Sequence, residues 1–524
     1  YSRDREIMAI ARYTASADTT ITNAFEAGLT TRGTGSNMGY ADSMEVFSIY
    51  GQSSGSVAGQ TQELSRMLVQ FPVQTIKTQR TAGKIPASGS VSFYLKMQNA
   101  ETPFTLPQDF NLMVVPVSRS WTEGSGLDMD EYQDIGSANW INASSGTPWT
   151  TIGGDYLTAS NHNVAFPLGY ENLELDVSHV VEEWVKYLDT SAGIGVIKNY
   201  GFGIHLTASQ EGYFSSSVAP PVNTSVSIHN PQGAKQSYYT KKFFSRSSEY
   251  FYKRPVLEAR WDSRIEDNRE NFYYSSSLAP AADNLNTLYF YNYVRGRLVN
   301  IPSIGTNPIY VSFYSSSAAA PTGSRLELPV GGGVVASTDL NVTGAHVSAG
   351  IYSVSMAVTS AATPLLAMHD VWHDDAGTQF FTGSIYPELM PTYDVAPTFD
   401  RVTSCTNLRK SYSTADTSRF RFFVRSKNWN PTIYVKATAN NPTEIITSAS
   451  YAINRVTDNY PAITYGTGSQ NSTYLSYDKD GNYFDLDMSM LEGGYMYELK
   501  LSYYNDSIGA WQEQPQAFKF RVEK

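Results

Sequence analysis

The chain has 524 residues, 37 of them Tyr, and only 17% are charged, with a net charge of −11. That length exceeds a single hydrophobic core and predicts three or four domains. The acidic balance, with no basic stripe to neutralise phosphates, argues against a nucleic-acid partner, and the absence of a run of about 18 apolar residues argues against a membrane span.

The first residues, Tyr1-Ser2-Arg3-Asp4-Arg5-Glu6, lack the basic and apolar regions of a signal peptide. A short helix is expected over Arg3–Arg12. The single cysteine, Cys405, excludes Cys-based zinc sites. Secreted proteins often carry disulfides, so one thiol in a large outside-facing chain fits assembly in a reducing cytoplasm.

Further along, strand signals dominate. Val91-Ser92-Phe93-Tyr94-Leu95-Lys96-Met97, Phe420-Arg421-Phe422-Phe423-Val424-Arg425 and Phe518-Lys519-Phe520-Arg521-Val522 alternate apolar and polar. Period two marks half-buried strands, and the Gly, Pro, Asn and Ser clusters between them mark turns. One helix stands out in Asp176–Leu188. Val177, Val180, Val181, Trp184 and Leu188 share a face there, Glu182, Glu183 and Lys186 take the other, and Asp176 is placed as N-cap.

These signals predict an all-β chain of tandem β-sandwiches. Residues 1–262 read as a jelly-roll-like domain with one inserted helix. Residues 263–302, rich in Tyr, Asn and Ser, read as a connector plus a first strand. Residues 303–396 and 397–524 read as two immunoglobulin-like sandwiches. Trp121 and Trp184 are expected in the first core.

Candidate chemistry is sparse. His369 and His373 flank Asp370 in a segment ending Asp374-Asp375. On a helix the two imidazoles share a metal, but on a strand they stand about 13 Å apart. No glutamate follows His369 as a general base requires. Asp478-Lys479-Asp480-Gly481-Asn482 resembles the start of a calcium loop, yet position twelve is Ser489 and Asp-Gly between aromatic residues is a hairpin turn. Asp128, Asp130, Glu131 and Asp134 form an acidic cluster beside Trp121, the weak calcium candidates of the chain. Gly331-Gly332-Gly333 reads as a turn. No nucleophile elbow, phosphate loop, dinucleotide turn or marked carboxylate pair is present. The expectation is therefore no catalytic residue and no cofactor. Tyr250-Phe251-Tyr252 and Tyr289-Phe290-Tyr291 suit either sugar stacking or subunit interfaces, with interface or core use favoured.

The order of motifs in the first half resembles the DNRLRE-type domain, a β-sandwich related to carbohydrate-binding jelly rolls. Ala17-Asp18-Thr19-Thr20-Ile21 is similar to its opening strand. Ser36-Asn37-Met38-Gly39 with Met44-Glu45-Val46 follows. Arg66-Met67-Leu68-Val69-Gln70-Phe71 resembles its arginine-led strand, and Val91–Leu95 the next one. Ser120-Trp121-Thr122-Glu123-Gly124 and Ala138-Asn139-Trp140 are similar to its tryptophan signatures. Asp176-Val177 with Trp184 resembles its helix, and Tyr200-Gly201-Phe202-Gly203-Ile204 the strand after it. Phe244-Ser245-Arg246 and Arg254-Pro255-Val256-Leu257-Glu258-Ala259-Arg260-Trp261 resemble its close. The loops are longer than the family's usual ones.

The whole chain also resembles large virion structural proteins of marine tailed phages. Asp267-Asn268-Arg269-Glu270-Asn271-Phe272-Tyr273-Tyr274, Leu288-Tyr289-Phe290-Tyr291-Asn292 and Val371-Trp372-His373 with Phe380-Phe381-Thr382-Gly383-Ser384-Ile385 carry this resemblance. It implies a non-enzymatic virion component of the tail, baseplate or head surface, assembled in the host cytoplasm. Its implied partners are other virion proteins, further copies of itself and a host-surface glycan. The alternatives are a carbohydrate-binding surface protein or adhesin, and a glycan-degrading enzyme without a marked site.

Overall fold

The computed structural model describes residues 9–53, 59–103, 106–128, 136–190, 197–217, 222–276, 278–316, 321, 323–326, 328–330, 333–334, 341–358, 365, 367–389, 400–428, 443–466 and 468–524. The chain divides into two compact units. One is Ile10–Trp261, and the other contains Asp262–Lys524 together with Ala9.

The first unit runs β1 (Ile10–Thr14), β2 (Ala17–Thr22), β3 (Ser43–Ser53), β4 (Gly59–Gln70), α1 (Val73–Thr81), β5 (Ser92–Met97), β6 (Phe110–Pro116), β7 (Asn142–Ser144), β8 (Thr147–Pro148), β9 (His162–Phe166), β10 (Leu173–Asp176), α2 (Ser178–Thr190), β11 (Phe202–Leu206), β12 (Tyr238–Phe244) and β13 (Val256–Arg260). A four-stranded sheet has the order β1-β13-β5-β10. A larger sheet has the order β12-β3-β4-β11-β6-β9, with β2 also on β4. The alternation in β5 does what period two requires, burying Phe93, Leu95 and Met97 and leaving Ser92, Tyr94 and Lys96 half-buried. Strand β4 is buried on both faces, because a loop layer carrying Trp121, Trp140 and Trp149 packs on Leu64 and Leu68.

Helix α2 sits where the apolar stripe places it. Val180, Val181 and Trp184 are buried, and the Trp184 ring lies 4.7 Å from Phe202. The Asp176 carboxylate accepts from the Ser178 backbone N–H at 2.9 Å, a capping contact at the helix start. The expected helix over Arg3–Arg12 is corrected for its last residues. Ile10–Thr14 is β1, paired antiparallel with Val256–Arg260, and the ladder overrides local propensity. Residues 3–8 lie outside the described residues. Helix α1 has no counterpart in the sequence reading. It buries only Val73 and Ile76 and is tied to α2 by Arg80–Glu182, with N–O contacts of 2.6 and 2.8 Å.

In the second unit, the middle sandwich comprises β14 (Asn286–Tyr291), β15 (Tyr293–Val294), β16 (Arg297–Leu298), β17 (Ile309–Ser316), β18 (Pro329–Val330), β19 (Gly333–Val334), β20 (Asn341–Ser348), β21 (Ile351–Met356), β22 (Ala367–His373) and β23 (Gln379–Ile385). Its main sheet, β14-β21-β20-β17-β22-β23, folds over at β20. Asn341–Gly344 pair with β17, while Ala345–Ser348 pair with β21. Gly344 is the corner, where a Cβ would stand 2.7 Å from the Ser353 carbonyl oxygen. The two halves face one another, with Phe290 of β14 5.6 Å from Trp372 of β22. Phe272 and Tyr274 join this core, so the 263–302 segment supplies part of it along with its first strand.

The C-terminal sandwich comprises β24 (Arg401–Cys405), β25 (Ser411–Ser413), β26 (Thr417–Ser426), β27 (Ala449–Arg455), β28 (Tyr460–Ile463), β29 (Ser476–Asp478), β30 (Gly481–Asp487), β31 (Met496–Asn505) and β32 (Ala510–Glu523). Its sheets are β24-β26-β30-β29 and β25-β32-β31-β27-β28. In immunoglobulin lettering these are A-B-E-D against A′-G-F-C-C′, with the A′ strand β25 parallel to G. The rings of Phe420, Phe484, Tyr451 and Phe520 fill the space between them, Tyr451 stacking on Phe484 at 3.8 Å. The molecule is thus all-β, with tandem sandwiches whose last member is immunoglobulin-like.

Candidate junction and interaction surfaces

The segment that leads into the middle sandwich is not a free linker but is hydrogen-bonded to the C-terminal sandwich as well. Ile265–Asp267 run parallel to β29 as an added strand. The Ile265 N–H donates to Ser476 Oγ, the Tyr477 N–H to the Ile265 carbonyl, and the Asp267 N–H to the Tyr477 carbonyl, at 2.9–3.1 Å. Asn268 then grips both sandwiches. Its side-chain NH2 reaches the Tyr477 hydroxyl at 3.2 Å, and its Oδ1 accepts from the Thr287 N–H of β14 at 2.9 Å. Arg269 forms a two-pronged pair with Asp370 of β22 at 2.7 and 2.8 Å. Asp370 is fully buried and also accepts from the Trp372 indole N–H at 2.7 Å.

The outer face of the β26–β30 pair completes this junction. Arg419 pairs with Asp485 and Arg421 with Asp478, at 2.6–2.8 Å, and both guanidinium groups lie over the Tyr483 ring. Between the sandwiches is a cavity of about 30 Å³ lined by Tyr291, Tyr293, Leu298, Arg419, Tyr451 and Tyr483 among others. That is room for about one water, not for a substrate. Burial, opposed by Arg269 and reinforced by the Asp478 charge, pushes the Asp267 carboxyl up to about 7.

The first unit has two polar centres of its own. Asp18, Asn37, Glu123 and Arg246, which belong to four separate sequence motifs, converge. The Glu123 carboxylate accepts from the Asp18 N–H at 2.8 Å and from the Arg246 guanidinium. Asp18 Oδ2 accepts from the Arg246 N–H at 2.6 Å, and Asn37 Nδ2 donates to the Glu123 carbonyl at 3.2 Å. Burial raises the Asp18 carboxyl to about 7 against the pull of the Arg246 N–H. The second centre is Arg66 under the tryptophan-lined loop layer. It pairs with Glu211 at 2.8 Å, donates to the Gly153 carbonyl and lies over the Trp140 and Tyr156 rings. Burial, then the Arg66 charge, lowers the neighbouring His205 to about 3, so its ring is neutral.

The other sequence candidates are accounted for individually. His369 and His373 lie on β22, not on a helix. His369 Nδ1 contacts the Gly383 carbonyl at 3.1 Å and His373 Nε2 contacts Ser312 Oγ at 2.8 Å. Asp478-Lys479-Asp480-Gly481 is the turn of the β29–β30 hairpin, with Gly481 at φ +109°. Asp128 is exposed, and Asp130, Glu131 and Asp134 lie outside the described residues. Among the described residues no three His, Cys, Asp or Glu side chains group to hold a metal ion. Gly331 and Gly332 are also outside them, and Gly333 opens β19. Trp121 and Trp184 are both buried, as expected. Of the aromatic runs, Phe290 is core. Tyr250 and Phe251 are exposed, as is Tyr40, and the Tyr250 ring packs against Phe244. The joining strand and the Arg66–Glu211 pair were not marked by the sequence. Their only signals were an Asp-Asn-Arg run in a connector and an arginine inside an apolar strand.

Strand order and register define the class as a multi-domain β-sandwich protein. No family model and no curated protein matches the chain. Among solved structures it is similar to the N-terminal Ig1-2 module of the Drosophila receptor protein tyrosine phosphatase DLAR (8% identity, 46% of this chain and 91% of that one, TM-score 0.14). It is similar to tandem Ig repeats of Dlar (10% identity, 41% and 81%, TM-score 0.13). It is also similar to Salmonella alpha-2-macroglobulin reacted with methylamine (8% identity, 98% and 26%, TM-score 0.14). Likenesses at these TM-scores carry no argument. Among the described residues no helix is long and apolar enough to cross a membrane.

Proposed function

We propose that the chain is a non-enzymatic structural component of a tailed-phage virion, placed on the tail, baseplate or head surface, that holds neighbouring proteins at fixed spacing. One observation carries this reading: the connector is built into the C-terminal sandwich as a strand and clamped to the middle one by Arg269–Asp370. A segment held by both the middle and the C-terminal sandwich ties these two together, which suits a spacer between partners better than a flexible tether. The resemblance of the chain to virion structural proteins supports the setting, and its 37 tyrosines suit partner burial at low rotamer cost. The protein is expected in stoichiometric copies in purified particles. Deleting residues 397–524 is expected to leave Ile10–Trp261 folded and to remove the chain, or a neighbouring protein, from the particle. Normal incorporation of the truncated chain would overturn the reading.

The exposed Tyr40, Tyr250 and Phe251 of the first unit favour a second reading, a carbohydrate-binding multi-domain surface protein or adhesin. Under it Tyr250→Ala weakens retention on host polysaccharide, and under the virion reading retention is absent in both forms.

A further inference from the structure

Lys241 of β12 is an anomaly in this sandwich. A lysine is almost never fully buried without partners, yet Lys241 is 2% exposed. No carboxylate oxygen contacts its amine. Nζ donates to Asn99 Oδ1 at 2.7 Å, to the Glu171 backbone carbonyl at 2.7 Å and to the Gly169 carbonyl at 3.0 Å. The rings of Phe166 and Phe243 flank it at 4.9 and 5.0 Å. Asn99 follows β5 of the four-stranded sheet, whereas Lys241 belongs to the larger sheet. The two strands meet at the Asn99–Phe243 bridge.

We propose that Lys241 and Asn99 join in an intramolecular isopeptide bond that staples the two sheets of the first sandwich, with the Glu171 carboxylate transferring the proton. A carbonyl bond of about 1.2 Å places Asn99 Cγ no farther than about 4 Å from Nζ, close to the attack distance of an oriented pair. Burial, only partly opposed by Glu171, lowers the amine to about 8, so roughly a tenth is the uncharged nucleophile at pH 7, far more than for an ordinary lysine. Glu171 is the carboxylate whose charge acts on the amine without contacting it in this structure. Burial raises its carboxyl, but the Leu168, Glu171 and Gly169 N–H groups and the Lys241 charge outweigh this and hold it below the usual range. Its Oε1 accepts from the Leu168 N–H at 2.6 Å, while its Oε2 is buried without a hydrogen-bond partner.

The step balances without any cofactor. Uncharged Nζ attacks Cγ, and the amine proton passes through Glu171 to Nδ2. The Cγ–Nδ2 bond breaks, and ammonia leaves as the Nζ–Cγ amide forms. The flanking rings exclude water, which would otherwise compete to give aspartate. The product closes a loop between positions 142 residues apart, and cross-links over long loops restrict the unfolded chain most.

The test is the intact mass of the full folded chain, held at about pH 9 so that the amine is uncharged. The expected mass is below the sequence mass by one ammonia, and digestion yields a branched peptide joining Lys241 to Asn99. Lys241→Met and Asn99→Ala are expected at full sequence mass. Glu171→Gln is expected to fold and to lose ammonia at least tenfold more slowly. Full sequence mass in the folded wild type overturns the proposal, as does an ammonia loss that maps elsewhere. Because the wild-type mass decides, the proposal stands or falls even if a variant fails to fold. Unslowed loss in Glu171→Gln removes Glu171 from the mechanism.

Discussion

The two units spend their buried charge differently. In Ile10–Trp261 the pairs lie inside one sandwich. Arg66–Glu211 pins the loop layer to β4, and Asp18, Glu123 and Arg246 knot the chain ends of several strands. In the second unit the pairs Arg269–Asp370, Arg419–Asp485 and Arg421–Asp478 gather around the junction between two sandwiches. The difference teaches what such groups do in a charge-poor protein. Apolar burial drives each core, whereas a buried pair, costly when half-satisfied, fixes which surfaces meet.

The sharpest way to break this comparison is to orphan a charge in the first unit. Arg66→Met leaves Glu211 buried without its partner and is expected to destabilise that unit by about 3–5 kcal/mol. Calorimetry of the full chain should show one transition lowered and the transition of the second unit unmoved. A common shift of both would contradict the division into units.

Trp184→Ala tests apolar burial in the same unit, without charge. The loss is expected at about 3–5 kcal/mol, because the fully buried ring packs on Phe202. Trp121→Ala, at a slightly more exposed site, is expected to lower the same transition less. An unchanged transition in both variants would remove these residues from the core.

Arg269→Leu is the mirror experiment. It leaves Asp370 buried beside Trp372 and is expected to cost about 3 kcal/mol in the second unit alone. Limited proteolysis after residue 262 should accelerate if the joining strand is released. Unchanged cleavage would show that the backbone pairing with Tyr477 suffices.

A pH effect sharpens both sides. Asp18 and Asp267 are raised from 3.8 to about 7 when folded. Between those values the folded chain holds protons that the unfolded chain has released. These two groups therefore make stability fall as pH rises from about 4 to about 7, with no further change above it. Asp18→Asn should flatten the slope in the transition of the first unit only, and Asp267→Asn in that of the second only. A slope untouched by both substitutions would assign the effect to other groups.

How much of this was legible follows from the physics of each signal. The strands at Val91–Met97 and Phe420–Arg425 were readable because burial on one face imposes period two on the side chains themselves. Helix α2 was readable because five apolar residues share a stripe. Helix α1 was not, since its stability comes from Arg80–Glu182 and other tertiary contacts rather than from a stripe. β1 was misread because its identity comes from a partner almost 250 residues away. For the same reason the joining strand was invisible: Ile265–Asp267 has no local pattern and becomes a strand only beside Tyr477. The motif residues Asp18, Asn37, Glu123 and Arg246 were found in order but not in space, and their convergence emerges only from the fold.

The joining strand also has a kinetic consequence. The Ile265 N–H finds its acceptor on Ser476, 211 positions later. A chain made from its N-terminus completes Ile10–Trp261 early. The next segment, by contrast, must wait with an open hydrogen-bonding edge until Ser476–Asp478 exists and its sheet has formed. Contacts of such sequence separation are slow to close. The second unit is therefore expected to mature late and nearly all at once, and a chain cut short before residue 476 would carry an unpaired strand beside its middle sandwich, an edge open to pairing with another chain.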